Sequence, residues 1–301
     1  MMKPPMFPML ALILASMPAF AEIDLSGSWV AYLHEDALNR GSGPLPVDYL
    51  GLPLNDQGRT RALLYTASQI SMPERQCLYY TSEYLPMGPF GFKMWNETEP
   101  INGRTVAWHL SGTNDRAPMT IWVDGRPDDS KYDIHPIGGY GTGAWEGEVL
   151  KAKITHMKAG YIWRNGSPTS DQASITFHFI RHGDMMVVIS ELVDPVYLSE
   201  PFVVSRNYML SNTNIIRPID TPCVPGEEAT RAPGEVPHYQ PGKNPFVGEM
   251  TKAYNIPQEA VLGGAETMYP AYRKKLKDKY VPPAKCPRDC GYGAFATSAS
   301  Q

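Results

Sequence analysis

The chain has 301 residues and a net charge of −4, a mildly acidic balance that excludes the basic footprint of a nucleic-acid-binding protein. Its 29 prolines and 26 glycines suit a molecule of many turns and irregular segments and exclude a helical bundle.

Residues 1–21 read as a cleavable export signal. Lys3 supplies the positive end, Met9-Leu10-Ala11-Leu12-Ile13-Leu14-Ala15 the apolar run, and Ala19-Phe20-Ala21 the small-x-small cleavage triplet. The apolar run is too short for a bilayer span, which takes about 20 residues, and Pro18 argues against a continuing helix. Cleavage would start the mature chain at Glu22 and move the net charge from −4 to −5. No later stretch is long and apolar enough for a transmembrane helix. The expected location is therefore the periplasm or the medium, with no membrane insertion.

Three segments follow from composition: the signal at 1–21, a β domain over 22–222, and an irregular Pro-rich extension with short helices over 223–301 that wraps it. Leu25 to Leu33 reads as the first strand. Asn55 can cap a helix running to about Ser68, with Asp56 in its first turn. Met72 to Pro89 shows no clear period. Strand patterns then recur at Phe92–Asn96, Thr105–Leu110, Met119–Val123 and Val149–Met157, and at Ser174–Arg181 and Met185–Val193 joined as a hairpin through His182-Gly183-Asp184; Phe202–Leu210 is the last. Roughly eight to ten strands on short connections, with one early helix, predict a mainly β fold: an antiparallel barrel or a strongly curved sheet. Residues 161–171 read as a loop.

An oxidising compartment makes the four cysteines candidates for disulfides. Four allow three pairings. Cys286 and Cys290 are close in sequence and are the favoured pair, which leaves Cys77 with Cys223. Their spacing makes neither paired C-x-x-C zinc knuckles nor a C-x-x-C redox motif.

The polar chemistry concentrates between residues 145 and 197. His156 ends a strand beside Tyr161, Trp163, Arg164 and Asp171, a set that suits a barrel mouth: rings for apolar contact, a guanidinium fork, and a carboxylate able to orient an imidazole. Paired with Asp171, His156 or His178 is a candidate acid–base catalyst needing no cofactor. Trp145 and His109 complete the candidate ligand-binding residues. On its strand His178 alternates with Phe177 and Phe179. It points into the barrel if the rings pack outside, and to solvent if the rings fill the interior. Asn165-Gly166, Asp124-Gly125 and Asp194-Pro195 are first of all turn dipeptides. His109, His135, His156, His178 and His182 could between them bind a metal, but no H-x-H spacing occurs and the H-x-x-x-H spacing of His178 and His182 falls on a strand, not on one face of a helix. No nucleophile elbow, P-loop or dinucleotide fingerprint is present, so no metal or cofactor is expected.

Gly27-x-Trp29 on a first strand, followed by antiparallel strands, is similar to the lipocalin and calycin barrels. A longer set runs through the mature chain. It comprises Ile121-Trp122-x-Asp124-Gly125-Arg126-Pro127, Gly143-x-Trp145-Glu146-Gly147-x-x-Leu150, Thr155-His156-x-Lys158 and Arg164-Asn165-Gly166-x-Pro168-x-Ser170-Asp171. Phe179-Ile180-Arg181-His182-Gly183-Asp184, Asp194-Pro195-x-Tyr197 and Gly264-Ala265-Glu266-Thr267-Met268-Tyr269-Pro270 continue it. Together these resemble a family of exported bacterial proteins of proteobacteria and acidobacteria that has no assigned activity. The resemblance implies a lipocalin-like barrel and a periplasmic location, and carries over no catalytic residue. The expected function is binding of a small hydrophobic or aromatic molecule. The alternatives are a lyase, hydratase or isomerase acting on such a molecule, and an envelope interaction protein.

Overall fold

The computed structural model describes residues 22–32, 46–49, 51–65, 82–84, 91–112, 119–127, 134–136, 138–163, 165–213 and 232–277. Residues 1–21, Arg164 and all four cysteines lie outside this set, and with them the cleavage site and the disulfide pairings.

The mainly β expectation holds. Nine strands close a barrel in the order β1-β11-β10-β9-β6-β5-β4-β3-β2. They are β1 (Gly27–Ala31), β2 (Gly91–Thr98), β3 (Thr105–Gly112), β4 (Met119–Trp122), β5 (Tyr140–Glu146), β6 (Val149–Thr155), β9 (Ser174–His182), β10 (Met185–Val193) and β11 (Phe202–Ser211). Neighbours run antiparallel except β4 and β5, which pair in parallel with Ile121 opposite Gly141. β1 closes the ring: Trp29 sits between Leu210 of β11 and Phe92 of β2.

Alternation along the strands decides what lies inside. Phe177 and Phe179 are 0% exposed, as are Phe92 and Tyr208, whose rings meet edge-on at 4.8 Å. Trp29, Trp108, Leu150, Ile154, Ile175, Met186 and Val188 join them in the core. Burying each large apolar side chain contributes about 1.5–3 kcal/mol, so this aromatic interior is the main source of cohesion. Trp29 closes one end of the barrel, its indole N–H donating to the Leu25 carbonyl at 2.9 Å with the Arg181 guanidinium above the ring. The rings therefore fill the barrel, and His178 lies on the outer wall opposite Lys151 and Ile189.

Two glycines permit strand contacts that no side chain would. Gly91 has φ +106°, and a Cβ there would stand 1.9 Å from the Trp29 carbonyl oxygen. A Cβ on Gly141 would stand 2.4 Å from the Thr120 oxygen, where β4 and β5 run in parallel.

The early helix, α1 (Asp56–Ala62), is N-capped by Asn55, whose Oδ1 accepts from the Gly58 N–H at 2.9 Å. It stops short of the expected Ser68: the bonds of Leu64 to Arg61 and Tyr65 to Ala62 tighten its end into an i→i−3 turn. Further helices are short: α2 (Val247–Tyr254), α3 (Gln258–Val261) and α4 (Pro270–Lys277), with a 3₁₀ turn at Ala265–Met268. Tyr239 N–H and Asn244 Nδ2 donate to the carbonyls of Leu64 and Leu63, holding the 232–277 region against the end of α1. No described helix is long and apolar enough to cross a membrane.

Candidate functional site

The stretch expected as a loop after β6 is instead a small hairpin, β7 (Gly160–Trp163) and β8 (Ser167–Thr169), pairing Tyr161 with Pro168 and Trp163 with Ser167. Asn165-Gly166 is its turn, as the dipeptide suggests, with Gly166 at φ +94°. The flanking strands escaped detection because Tyr161, Ile162 and Trp163 are all buried, so no polar–apolar alternation marks them. Asn165 fixes the turn twice: Oδ1 accepts from Ser167 Oγ at 2.8 Å and Nδ2 donates to the Asp48 carbonyl at 2.8 Å.

The hairpin joins the end of β6 to the start of β9 and so covers that end of the barrel. Trp163 stands edge-on to Phe202 at 5.9 Å. A 3₁₀ turn, Ser82–Tyr84, packs on β7, with the rings of Tyr84 and Tyr161 at 6.0 Å. Ser82 Oγ donates to the Gly138 carbonyl at 2.6 Å and ties the turn to the barrel rim.

Buried polarity marks this end. The Trp163 indole N–H and the Thr169 hydroxyl have no hydrogen-bond partner among the described residues. The same is true of the indoles of Trp108 and Trp145 at inward positions of β3 and β5. The Glu83 carboxylate is 2% exposed beneath the hairpin, and Arg206, 4% exposed, lies on the inward face of β11 that also carries Phe202. Neither was singled out from sequence. Glu83 falls in the unassigned stretch Met72–Pro89; its signal is a single carboxylate in the aromatic run Tyr79-Tyr80-Thr81-Ser82-Glu83-Tyr84. Arg206 shows only as a cation at an alternating strand's inward position.

The structure brings Tyr161 and Trp163 together under the cap. His156 follows β6 directly at φ +54°, with Nδ1 2.9 Å from Thr155 Oγ1. His178 lies elsewhere: it pairs across with Lys151, four residues before Thr155, about 13 Å along the strand. Asp171 is exposed at the β8–β9 turn, and among the described residues no hydrogen bond joins it to either histidine. Trp145 is half-buried at the opposite end of the barrel, beside the β5–β6 turn.

His109 is on the outer wall, held between Thr120 Oγ1 at 3.1 Å and Glu97 Oε2 at 2.9 Å and stacked on Trp95. The two turn dipeptides have structural duties. Asp194 accepts from Ser170 N–H and Oγ, each at 2.7 Å, and from the N–H groups of Val196 and Tyr197 at 2.9 and 3.2 Å. Asp124 holds Arg126 through both carboxylate oxygens, and the guanidinium lies 3.5 Å above the Trp122 ring. That hydrogen-bonded guanidinium lowers the Asp124 carboxyl to about 2.

No protein-family model matches the chain, and no curated protein and no solved structure matches it either.

Proposed function

We propose that the chain is an exported, lipocalin-like barrel that holds a small molecule with an apolar or aromatic body beneath the β7–β8 hairpin. The observation that carries this reading is the pair of orphaned polar groups at the cap, the Trp163 N–H and the Thr169 hydroxyl. Leaving such a group buried and unbonded costs about 1–3 kcal/mol, a cost that Phe and Val at these positions would not carry. An acceptor atom on a ligand would recover it, while Tyr84, Tyr161, Trp163 and Phe202 supply apolar contact. Both atoms are sealed from solvent, so the ligand enters when the hairpin lifts. Support for export lies in Lys3, the apolar run and Ala19-Phe20-Ala21.

The test compares the wild-type protein with Trp163→Phe and Thr169→Val, each purified from the periplasm. Native mass spectrometry with solvent extraction should find a small apolar molecule on the wild type and several-fold lower occupancy on both variants. Thr169→Val, close in shape, should unfold at the wild-type midpoint or higher because it deletes an unsatisfied group, whereas Trp163→Phe leaves a gap in the core and should lower the midpoint. Unchanged occupancy on both variants would mean the two groups serve packing alone.

Glu83 favours a second reading, proton transfer on the same ligand without a cofactor, because it sets a buried carboxylate beside Tyr84, whose ring meets that of Tyr161. Glu83→Gln should then abolish turnover of the extracted molecule and leave its binding in place.

A further inference from the structure

His135 and His156 are 21 residues apart in the chain, and the fold makes them neighbours. Tyr140, which opens β5, pairs with Thr155, which closes β6. The Gly139 N–H donates to the Pro136 carbonyl at 3.1 Å and turns the preceding segment back over this rim. The two imidazoles meet with ring centres 5.3 Å apart and planes inclined at 62°.

Their outer bonds orient them. His135 Nδ1 lies 2.8 Å from the Met157 carbonyl oxygen. A carbonyl only accepts, so Nδ1 carries the hydrogen and the neutral ring keeps its lone pair on Nε2. His156 Nδ1 is engaged by Thr155 Oγ1 at 2.9 Å. Both rings thus spend Nδ1 on an anchoring partner, the arrangement by which metal-ligating histidines are held. A zinc–nitrogen bond of about 2.0–2.1 Å would put a cation roughly 3.2 Å from each ring centre, and tetrahedral ligation would then set the centres about 5.2 Å apart. The observed separation matches. His156 also adopts a left-handed backbone, φ +54°.

We propose that His135 and His156 form a two-histidine site, through their Nε2 atoms, for a borderline divalent transition metal such as zinc or copper(II). Among the described residues no group of three metal-ligating side chains occurs. Two imidazole nitrogens leave a tetrahedral cation positions that water can fill. The site stands independently of the ligand proposed beneath the hairpin.

Isothermal titration of the full chain, tag removed, with zinc chloride at neutral pH should give one equivalent bound, and magnesium chloride none. Copper(II) electron paramagnetic resonance should show coupling to two imidazole nitrogens. His135→Gln and His156→Asn should each weaken zinc uptake at least tenfold. Asn tolerates the left-handed conformation, so His156→Asn keeps the fold, checked by circular dichroism. His178→Ala should bind as the wild type does. No uptake by the wild type, or uptake unchanged in both rim variants, would overturn the proposal.

Discussion

At the scale of one residue, Asp194 ties together two segments that are distant in the chain. Its two carboxylate oxygens gather four donors from the segments before β9 and after β10. Hydrogen bonds to a charged acceptor contribute about 1.5–3 kcal/mol each, and unmatched buried donors are costly. Asp194→Ala should therefore destabilise the fold by about 3 kcal/mol or more, seen as a lower urea midpoint at unchanged slope. Asp124 is the surface counterpart. Its Arg126 partner depresses the folded-state value, so the ion pair is fully formed above the ordinary carboxylate range and is lost as pH falls through about 2. A carbon-detected NMR titration should place the Asp124 midpoint near 2, and Arg126→Ala should return it to roughly 3.9. Because both side chains face water, screening leaves this pair a titration marker and not a prop of the fold.

At the scale of elements, β1 and β2 meet only because Gly91 lets the Trp29 carbonyl approach. Gly91→Ala should cost about 3–5 kcal/mol, the range of changes that break both a special backbone conformation and a close contact. Gly125→Ala, also at positive φ but with nothing near its would-be Cβ, should cost about 1–2 kcal/mol in the same unfolding assay. The elements legible from sequence were those whose period survives in the residues. β9 and β10 announce themselves through Ile175-x-Phe177-x-Phe179 and Met186-x-Val188, and Asn55 marks the start of α1. β5 was veiled by Gly141 and Gly143, whose missing side chains make room for neighbouring strands but erase the alternation. β7 was hidden because its residues are buried on both faces. Which face of β9 turns inward was never a local property. Parity assigns Phe177 and His178 to opposite sides, and only ring closure chooses between them. The rim histidines were illegible for the same reason: their meeting depends on the Tyr140–Thr155 register, not on any spacing in the chain.

The whole molecule obeys a parity rule. A ring of nine strands cannot alternate direction all the way round, so the parallel β4–β5 contact is a requirement of the odd count. Closure, in turn, depends on β1, which bonds to β2 on one side and to β11 on the other. If the chain is exported as proposed, N-terminal sequencing of the periplasmic protein should begin at Glu22, five residues ahead of that strand. The Trp29–Leu210 pairing also has a temporal meaning. Synthesis delivers β1 first, yet one of its two partners arrives about 170 residues later. Until Phe202–Ser211 emerges, β1 can have only β2 beside it, and the ring stays unclosed. The final click should be slow, since so distant a contact must be won against the entropy of everything between.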